Sequence, residues 1–222
     1  MQNHPKKEKL LSRVVCLKVL VTSDFHGEVE SAEKIKNVAV SGSFDCIVVC
    51  GDLTDFGPVE VGRQLLDVLV GSKFPVLYVP GNMDPRRVID GLGDLGFNLS
   101  GKEKIIEETA FIGVGYGLEK QLNQTIQKLK NTARFVVLVT HIPPYGTKVD
   151  LAWNGTHIGS FELRKFVEEH QPDVVLCGHV HEARGTDKIG KTLLCNPGPA
   201  FKGFYAELYL TDKIEVRFSN IR

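Results

Sequence analysis

Seven polar side chains in this sequence stand where α/β proteins do chemistry, each just past a run of apolar residues. They are Asp24 and His26, Asp52, Asn82, His141, and the pair His179 and His181. Two carboxylates, four imidazoles and one amide form a mixed oxygen–nitrogen donor set, which suits Mn, Fe, Zn or Ni better than Ca or Mg alone. Asp52 has one oxygen for each of two neighbours, so it could bridge a pair of ions. Each residue alone has an ordinary reading. Asp24 and Asp52 could cap a turn or helix, Asn82 could take a left-handed turn position, and a single histidine is usually a hydrogen-bonded core residue. Together they are harder to dismiss, because four of the seven histidines fall in these few loops. His4 lies in a polar lead, His170 near a helix C-terminus that favours its charge, and His157 in a long loop. The Asp24/His26 and His179/His181 spacings predict side chains on opposite sides of extended segments, each pair serving two neighbours.

The elements that must position these groups are legible in the hydrophobic pattern. At the centre lies Asp45 to Asp55, where Cys46 to Cys50 is a five-residue apolar run, too short for a free-standing helix and bounded by Gly51. It reads as a strand buried on both faces, with Asp52 at its carboxyl end, the edge where open α/β sheets bind ligands. Val14 to Thr22 and Phe74 to Val79 read as further strands, and Glu30 to Val40 and Pro58 to Val70 as amphipathic helices between them. Three strand–loop–helix units in succession thus end in polar tips. Ala110 to Gly115 predicts a strand, Leu118 to Leu129 a helix, and Phe135 to Thr140 a strand ending in His141. Ile142 to Gly159 is a long loop with an exposed-looking Trp153, and loops of this length are commonly functional. Ser160 to His170 predicts a helix, and Asp173 to Cys177 a strand before Gly178. The remaining runs, Leu193–Cys195, Ala206–Leu210 and Ile214–Phe218, read as an antiparallel meander forming a second sheet.

Composition narrows the function classes. Lysine plus arginine equals aspartate plus glutamate at 27 each, so a generally basic nucleic-acid binder or polybasic membrane protein is disfavoured. No apolar run reaches the length of a membrane span. Residues 1–13 read as a polar extension and 14–222 as one domain. Of five cysteines, Cys16, Cys46, Cys50 and Cys177 lie in strand-like runs, and no CxxC pair exists. They read as buried reduced thiols, which points to a cytoplasmic protein.

In order, Asp24-x-His26, Gly51-Asp52-x-x-Asp55, Gly81-Asn82-x-Asp84, a strand-terminal His141 and Gly178-His179-x-His181 resemble the calcineurin-like metallophosphoesterase superfamily. Chain size, His157-Ile158-Gly159 and the Asn196-Pro197-Gly198 segment resemble its small prokaryotic, phosphodiesterase-like branch. The resemblance implies a four-layer α/β/β/α sandwich with a two-metal centre at one edge of its sheets. It implies that Asp24, His26 and His181 hold one ion and Asn82, His141 and His179 the other, with Asp52 bridging. Two divalent ions, Mn²⁺ first, would activate a shared hydroxide against a small phosphate ester, most naturally a diester.

Two departures stand out. Met83 occupies the position where the family carries a histidine, its general acid, which makes His157 a candidate to supply the proton or contact the phosphate. The plainer alternative is that His157 packs against the start of the following helix. Phe56-Gly57 follows Asp55 in place of the Arg-Gly of protein serine/threonine phosphatases, which argues against that substrate class. Asn82 and Asp84 complete the candidate catalytic set. Asp84 and Asp55 are expected to orient ligands or to be solvated loop carboxylates. The rival readings are a non-catalytic binding or scaffold protein on the same fold, and a nuclease.

Overall fold

The computed structural model describes residues 16–115 and 123–221. The expected 1–13 extension, His4 and the start of the helix expected at Leu118 lie outside them. Two six-stranded sheets form the centre. In the first, β1 (Leu17–Thr22), β2 (Cys46–Cys50), β3 (Val76–Val79) and the short β4 (Phe97–Asn98) run parallel. Beside β1, β11 (Phe204–Leu210) and β12 (Ile214–Asn220) add antiparallel strands. In the second sheet β6 (Thr109–Val114), β7 (Phe135–Thr140), β8 (Val174–Leu176) and β10 (Thr192–Asn196) are parallel. There β5 (Glu103–Ile106) and β9 (Gly185–Ile189) pair antiparallel at the two edges.

Strand alternation sorts the core into layers. Val19, Val21, Cys46, Val48 and Cys50 face Phe111, Val137, Val139 and Leu176 of the other sheet in one buried cluster. Leu20, Ile47 and Val49 point the opposite way and pack on α1 (Val29–Gly42) and α2 (Val59–Val70) through Ile35, Leu65 and Leu69. On the far side, Ala110, Leu138 and Val175 pack on α4 (Asn123–Lys130) and α5 (Phe161–His170) through Ile126, Leu129, Leu163 and Val167. The result is the α/β/β/α sandwich. Because β2 is covered by a sheet on one face and helices on the other, all five of its residues are buried, which explains its unbroken apolar run.

Two expectations are corrected, and two elements had no counterpart in the sequence reading. The C-terminal runs do not build the second sheet by themselves. The 193–195 run becomes β10, parallel to β8, whereas the two later runs extend the first sheet. Their antiparallel pairing is local, and period-two patterning carries no information about which sheet edge a hairpin joins. Cys16 is exposed, just ahead of β1, and Cys195 takes its place among the buried thiols; all five cysteines are free. Two short elements between β3 and β5, α3 (Arg86–Leu92) and β4, are too brief to leave a periodic signal.

Candidate metal centre

All seven residues follow the carboxyl ends of parallel strands, and the two sheets deliver them to one place. Asp24 and His26 follow β1, Asp52 follows β2 and Asn82 follows β3 in the first sheet; His141 follows β7, and His179 and His181 follow β8, in the second. Backbone hydrogen bonds prolong the pairing past the strands. The Asp24 N–H donates to the Gly51 carbonyl (3.0 Å), the His26 N–H to that of Asp52 (3.1 Å), and the Gly178 N–H to that of His141 (2.9 Å).

The extended alternation expected for the Asp24/His26 and His179/His181 pairs is not what the chain does. Asp24, His26, Asp52 and His179 have φ of 54°, 48°, 50° and 68°, all in the left-handed region that non-glycine residues rarely enter. Each costs on the order of 1–3 kcal/mol and persists because the surrounding bonds over-determine it. These turns, rather than strand pleat, aim the side chains at a common point. Close approach also requires missing side chains. A Cβ on Gly81 would lie 2.1 Å from Asp52 Oδ1, and one on Gly178 would lie 1.8 Å from Ser23 Oγ.

Ligand-type atoms of Asp24, His26 and His181 lie within 4.8 Å of one another, and so do those of Asp24, Asp52 and His141. The Nε2 atoms of His26 and His181 face each other at 3.2 Å. His181 Nε2 is 3.5 Å from Asp24 Oδ1, and His141 Nε2 is 3.3 Å from Asp52 Oδ2 and 2.9 Å from Asn82 Oδ1. His141 Nδ1–H donates to the Cys50 carbonyl (2.8 Å), which leaves Nε2 as the atom offered to a cation. The His179 ring stands edge-on to His141 at 5.1 Å, and the His179 backbone N–H donates to the Asp24 carboxylate (3.3 Å). His179 thus joins the cluster through its neighbours, outside both close groups. This mixed oxygen–imidazole set, with oriented nitrogens, fits two divalent cations.

Electrostatics fit as well. Burial pushes the Asp24 carboxyl upward, but the His181 bond, the His141 and His181 charges and the Ser23 hydroxyl outweigh it and hold it below the ordinary range. Burial opposes a charged His141, yet the Asp52 bond, the charges of Asp24 and Asp52 and the Cys50 carbonyl prevail and raise it to about 9. His179 moves down through burial and the repulsion of His141.

The remaining candidates lie around this cluster. Asp84 is buried, and burial raises its carboxyl despite the N–H groups bound to it. It accepts from the N–H groups of Leu53 (2.9 Å), Thr54 (2.8 Å) and Gly81 (3.0 Å) and from the Thr54 hydroxyl (3.0 Å). It therefore ties the Asp52 loop to the Asn82 loop, the geometry of a positioning residue, while Asp55 is exposed. His157 is not brought into the cluster. Its Nδ1–H donates to Asp150 at 2.7 Å, and its ring lies 5.6 Å from Tyr145. Asp150, fully buried, also accepts from the N–H groups of Gly146, Thr147 and Gly159, so it staples the long loop. Sequence reasoning missed Asp150, although Thr147-x-x-Asp150 is a capping-box pattern and forms one. Also missed was Phe201, edge-on to His26 (5.5 Å) and His181 (5.2 Å). Trp153 stands at the tip of a small hairpin closed by a Leu151–His157 bridge. It is 88% exposed, and its backbone N–H donates to the Glu182 carboxylate, next to His181, at 2.8 Å.

The calcineurin-like phosphoesterase profile matches residues 17–183. The chain belongs to that family. An uncharacterised protein of Methanocaldococcus jannaschii is 36% identical over 201 residues, which is 82% of this chain and 88% of that one. A Thermus thermophilus structure superposes with a TM-score of 0.75 at 19% identity, covering 94% of this chain and all of that one. An archaeal phosphodiesterase structure gives 0.52 at 17% identity, covering 92% and 99%. These distant structures establish the fold; the family makes the chain a phosphoesterase-type hydrolase, and its Asp/His groups fit a dinuclear divalent site. No helix among the described residues is long and apolar enough to cross a membrane.

Two outcomes are expected. Asp84→Ala leaves three buried N–H groups without a partner, each worth roughly 1–3 kcal/mol, so urea unfolding should show a loss of that order or larger. A folded-state pKa above the ordinary 6.5 means that the His141 proton stabilises the metal-free fold fully below that value, a contribution lost as pH rises through about 9. A cation taking Nε2 must displace this proton. Mn²⁺ uptake at pH 7 should therefore release about one proton from His141, read by calorimetry in buffers of differing ionisation heat and absent in His141→Asn.

Proposed function

We propose that this protein is a two-metal phosphodiesterase in which Asp24, His26 and His181 hold one ion, Asn82, His141 and His179 the other, and Asp52 lies between. The observation that carries the reading is the meeting of the His26 and His181 Nε2 atoms at 3.2 Å beside buried Asp24 and Asp52. Two nitrogens of this kind facing each other among carboxylates are arranged for a cation. Bound there, two divalent ions would lower the pKa of water and absorb charge developing on a phosphoryl group. Mn²⁺ is the ion to test first, with Fe, Zn and Ni as alternatives. The archaeal phosphodiesterase among the structural neighbours supports the diester assignment. A small phosphate ester as substrate and a cytoplasmic location belong to the same proposal.

The chain's own residues set the preference among esters. The Met83 N–H donates to Asp52 Oδ1 (2.8 Å), and its carbonyl accepts from the Phe56 N–H (2.9 Å). The backbone at this position thus helps to hold Asp52, a task that any non-proline residue can perform, while the thioether cannot donate a proton. General acids contribute typically ~10²–10⁴ in rate, most for alkoxide leaving groups. Diesters with activated aryl leaving groups should therefore be hydrolysed well relative to alkyl ones. His157 is the candidate for a residual proton donor: with Nδ1–H bound to Asp150, it can donate from Nε2 only as the imidazolium.

Turnover of bis-p-nitrophenyl phosphate with added Mn²⁺ tests the assignment. Mn²⁺ binding without turnover would overturn it in favour of a non-catalytic binding protein. Met83→His should accelerate alkyl diesters more than nitrophenyl ones, and equal effects would refute the missing-acid account. His157→Ala should slow alkyl diesters selectively if His157 supplies the proton; an unchanged ratio would leave it only its tie to Asp150.

A further inference from the structure

The imidazoles of the candidate centre are held in two different ways. His141 is turned by a hydrogen bond, from its Nδ1–H to the Cys50 carbonyl. His26 and His181 meet through Nε2, and among the described residues no acceptor reaches Nδ1 of either ring. Both side chains are also partly exposed. Metal-ligating histidines almost always donate their second ring nitrogen to an oxygen that fixes the ring. For this pair another contact must set the orientation, and Phe201 supplies it. The rings of His26, His181 and Phe201 form a closed triangle in which each stands edge-on to the other two. Centroids lie 5.2 Å apart for His26–His181, 5.5 Å for His26–Phe201 and 5.2 Å for His181–Phe201, with interplanar angles of 78°, 78° and 73°. Edge-to-face contact is a preferred arrangement of aromatic rings at these separations. In a triangle of such contacts, no ring turns without opening two of them. Phe201 is itself fixed through its backbone. It lies in a 3₁₀ turn, Ala200–Lys202, that is tied to the loop after β1. The Ala200 N–H donates to the Ser23 carbonyl (2.8 Å) and the Phe201 N–H to the Asp24 carbonyl (3.4 Å). Just before the turn, Asn196 Oδ1 accepts from the Gly198 N–H (2.9 Å). The ring is thus anchored to the same loop that carries Asp24 and His26.

We propose that Phe201 is a positioning residue for the ion held by Asp24, His26 and His181, its ring setting both imidazoles by edge contact in place of a hydrogen-bonded oxygen. The inference rests on the two-metal reading above and adds to it a residue that has no donor atom of its own. It also separates the two ion sites physically. The His141 side depends on a hydrogen bond between strand ends, and the His26/His181 side on an apolar ring. Replacing that ring should therefore weaken one site and spare the other. A phenylalanine that merely filled space would, when replaced, lower both affinities together or neither.

The test uses the full chain loaded with Zn²⁺, which is diamagnetic, and lowers free Zn²⁺ stepwise with a chelator. Histidine ring signals are followed by NMR, assigned with His26→Asn, His141→Asn and His181→Asn. Phe201→Leu keeps the apolar bulk and removes the ring edge. In that variant the His26 and His181 signals should leave their bound positions at roughly tenfold higher free Zn²⁺ or more, the low end of the ~10–100-fold cost of losing a ligand-orienting partner. The His141 midpoint should stay within threefold. Phe201→Tyr, which keeps the edge, should stay within threefold of the parent protein at all three histidines. Phe201→Leu matching the parent protein, a shift of equal size at His141, or Phe201→Tyr falling as far as Phe201→Leu would each overturn the proposal. If the parent protein binds Zn²⁺ at both places and Phe201→Leu does not separate them, the positioning inference fails alone. If none of the three histidines of the parent protein responds to Zn²⁺, the two-metal reading fails with it.

Discussion

Several contacts join the two halves of the candidate centre, and one ties the strand ends themselves: His141, at the end of a strand in one sheet, donates through Nδ1 to the carbonyl of Cys50, at the end of a strand in the other. That carbonyl also accepts from the Ser23 hydroxyl, beside Asp24. The bond can form because both sheets are packed face to face with their parallel strands ending at the same edge. Each sheet alone presents an incomplete donor set. The first supplies carboxylates and an amide with one imidazole, the second supplies imidazoles only. Sheet-on-sheet packing is therefore a condition of the chemistry as well as a source of stability.

The local cost of assembling the site is concentrated in four left-handed residues and several close backbone approaches. What holds them is a set of bonds from residues that touch no candidate ligand atom with their own polar groups. Asp84 fastens the second and third loops of the first sheet. Asn196 Nδ2 donates to the Val180 carbonyl (2.9 Å), in the middle of the Gly178–His181 turn. Strain at a functional centre is sustained by such redundancy, so that no single side chain can relax without breaking several bonds.

Much of this was legible beforehand, and the reasons are particular. The bounds of β2 and β7 read correctly because a strand covered on both faces must be apolar throughout. The convergence of these seven residues was legible because polar residues at fixed offsets after such strands have few cheap explanations together. The left-handed turns were not: aspartate and histidine enter that region more often than most non-glycine residues but still in a small minority of cases, and here the conformation is imposed by tertiary bonds. Asp150 escaped notice because its partners are mostly backbone N–H groups, which every sequence has. The sheet joined by β11 and β12 was hidden for a related reason. Hairpin patterning records which face is buried and says nothing about the neighbouring strand.

The hairpin tip has a photophysical consequence. Trp153 is the chain's single tryptophan, and it stands in water while the native fold is intact. Indole emission should lie near its solvated limit in the folded protein and shift little on denaturation. The same exposure, with the backbone held by Glu182 one residue beyond His181, makes that fluorophore a local gauge of the rim, largely blind to the core.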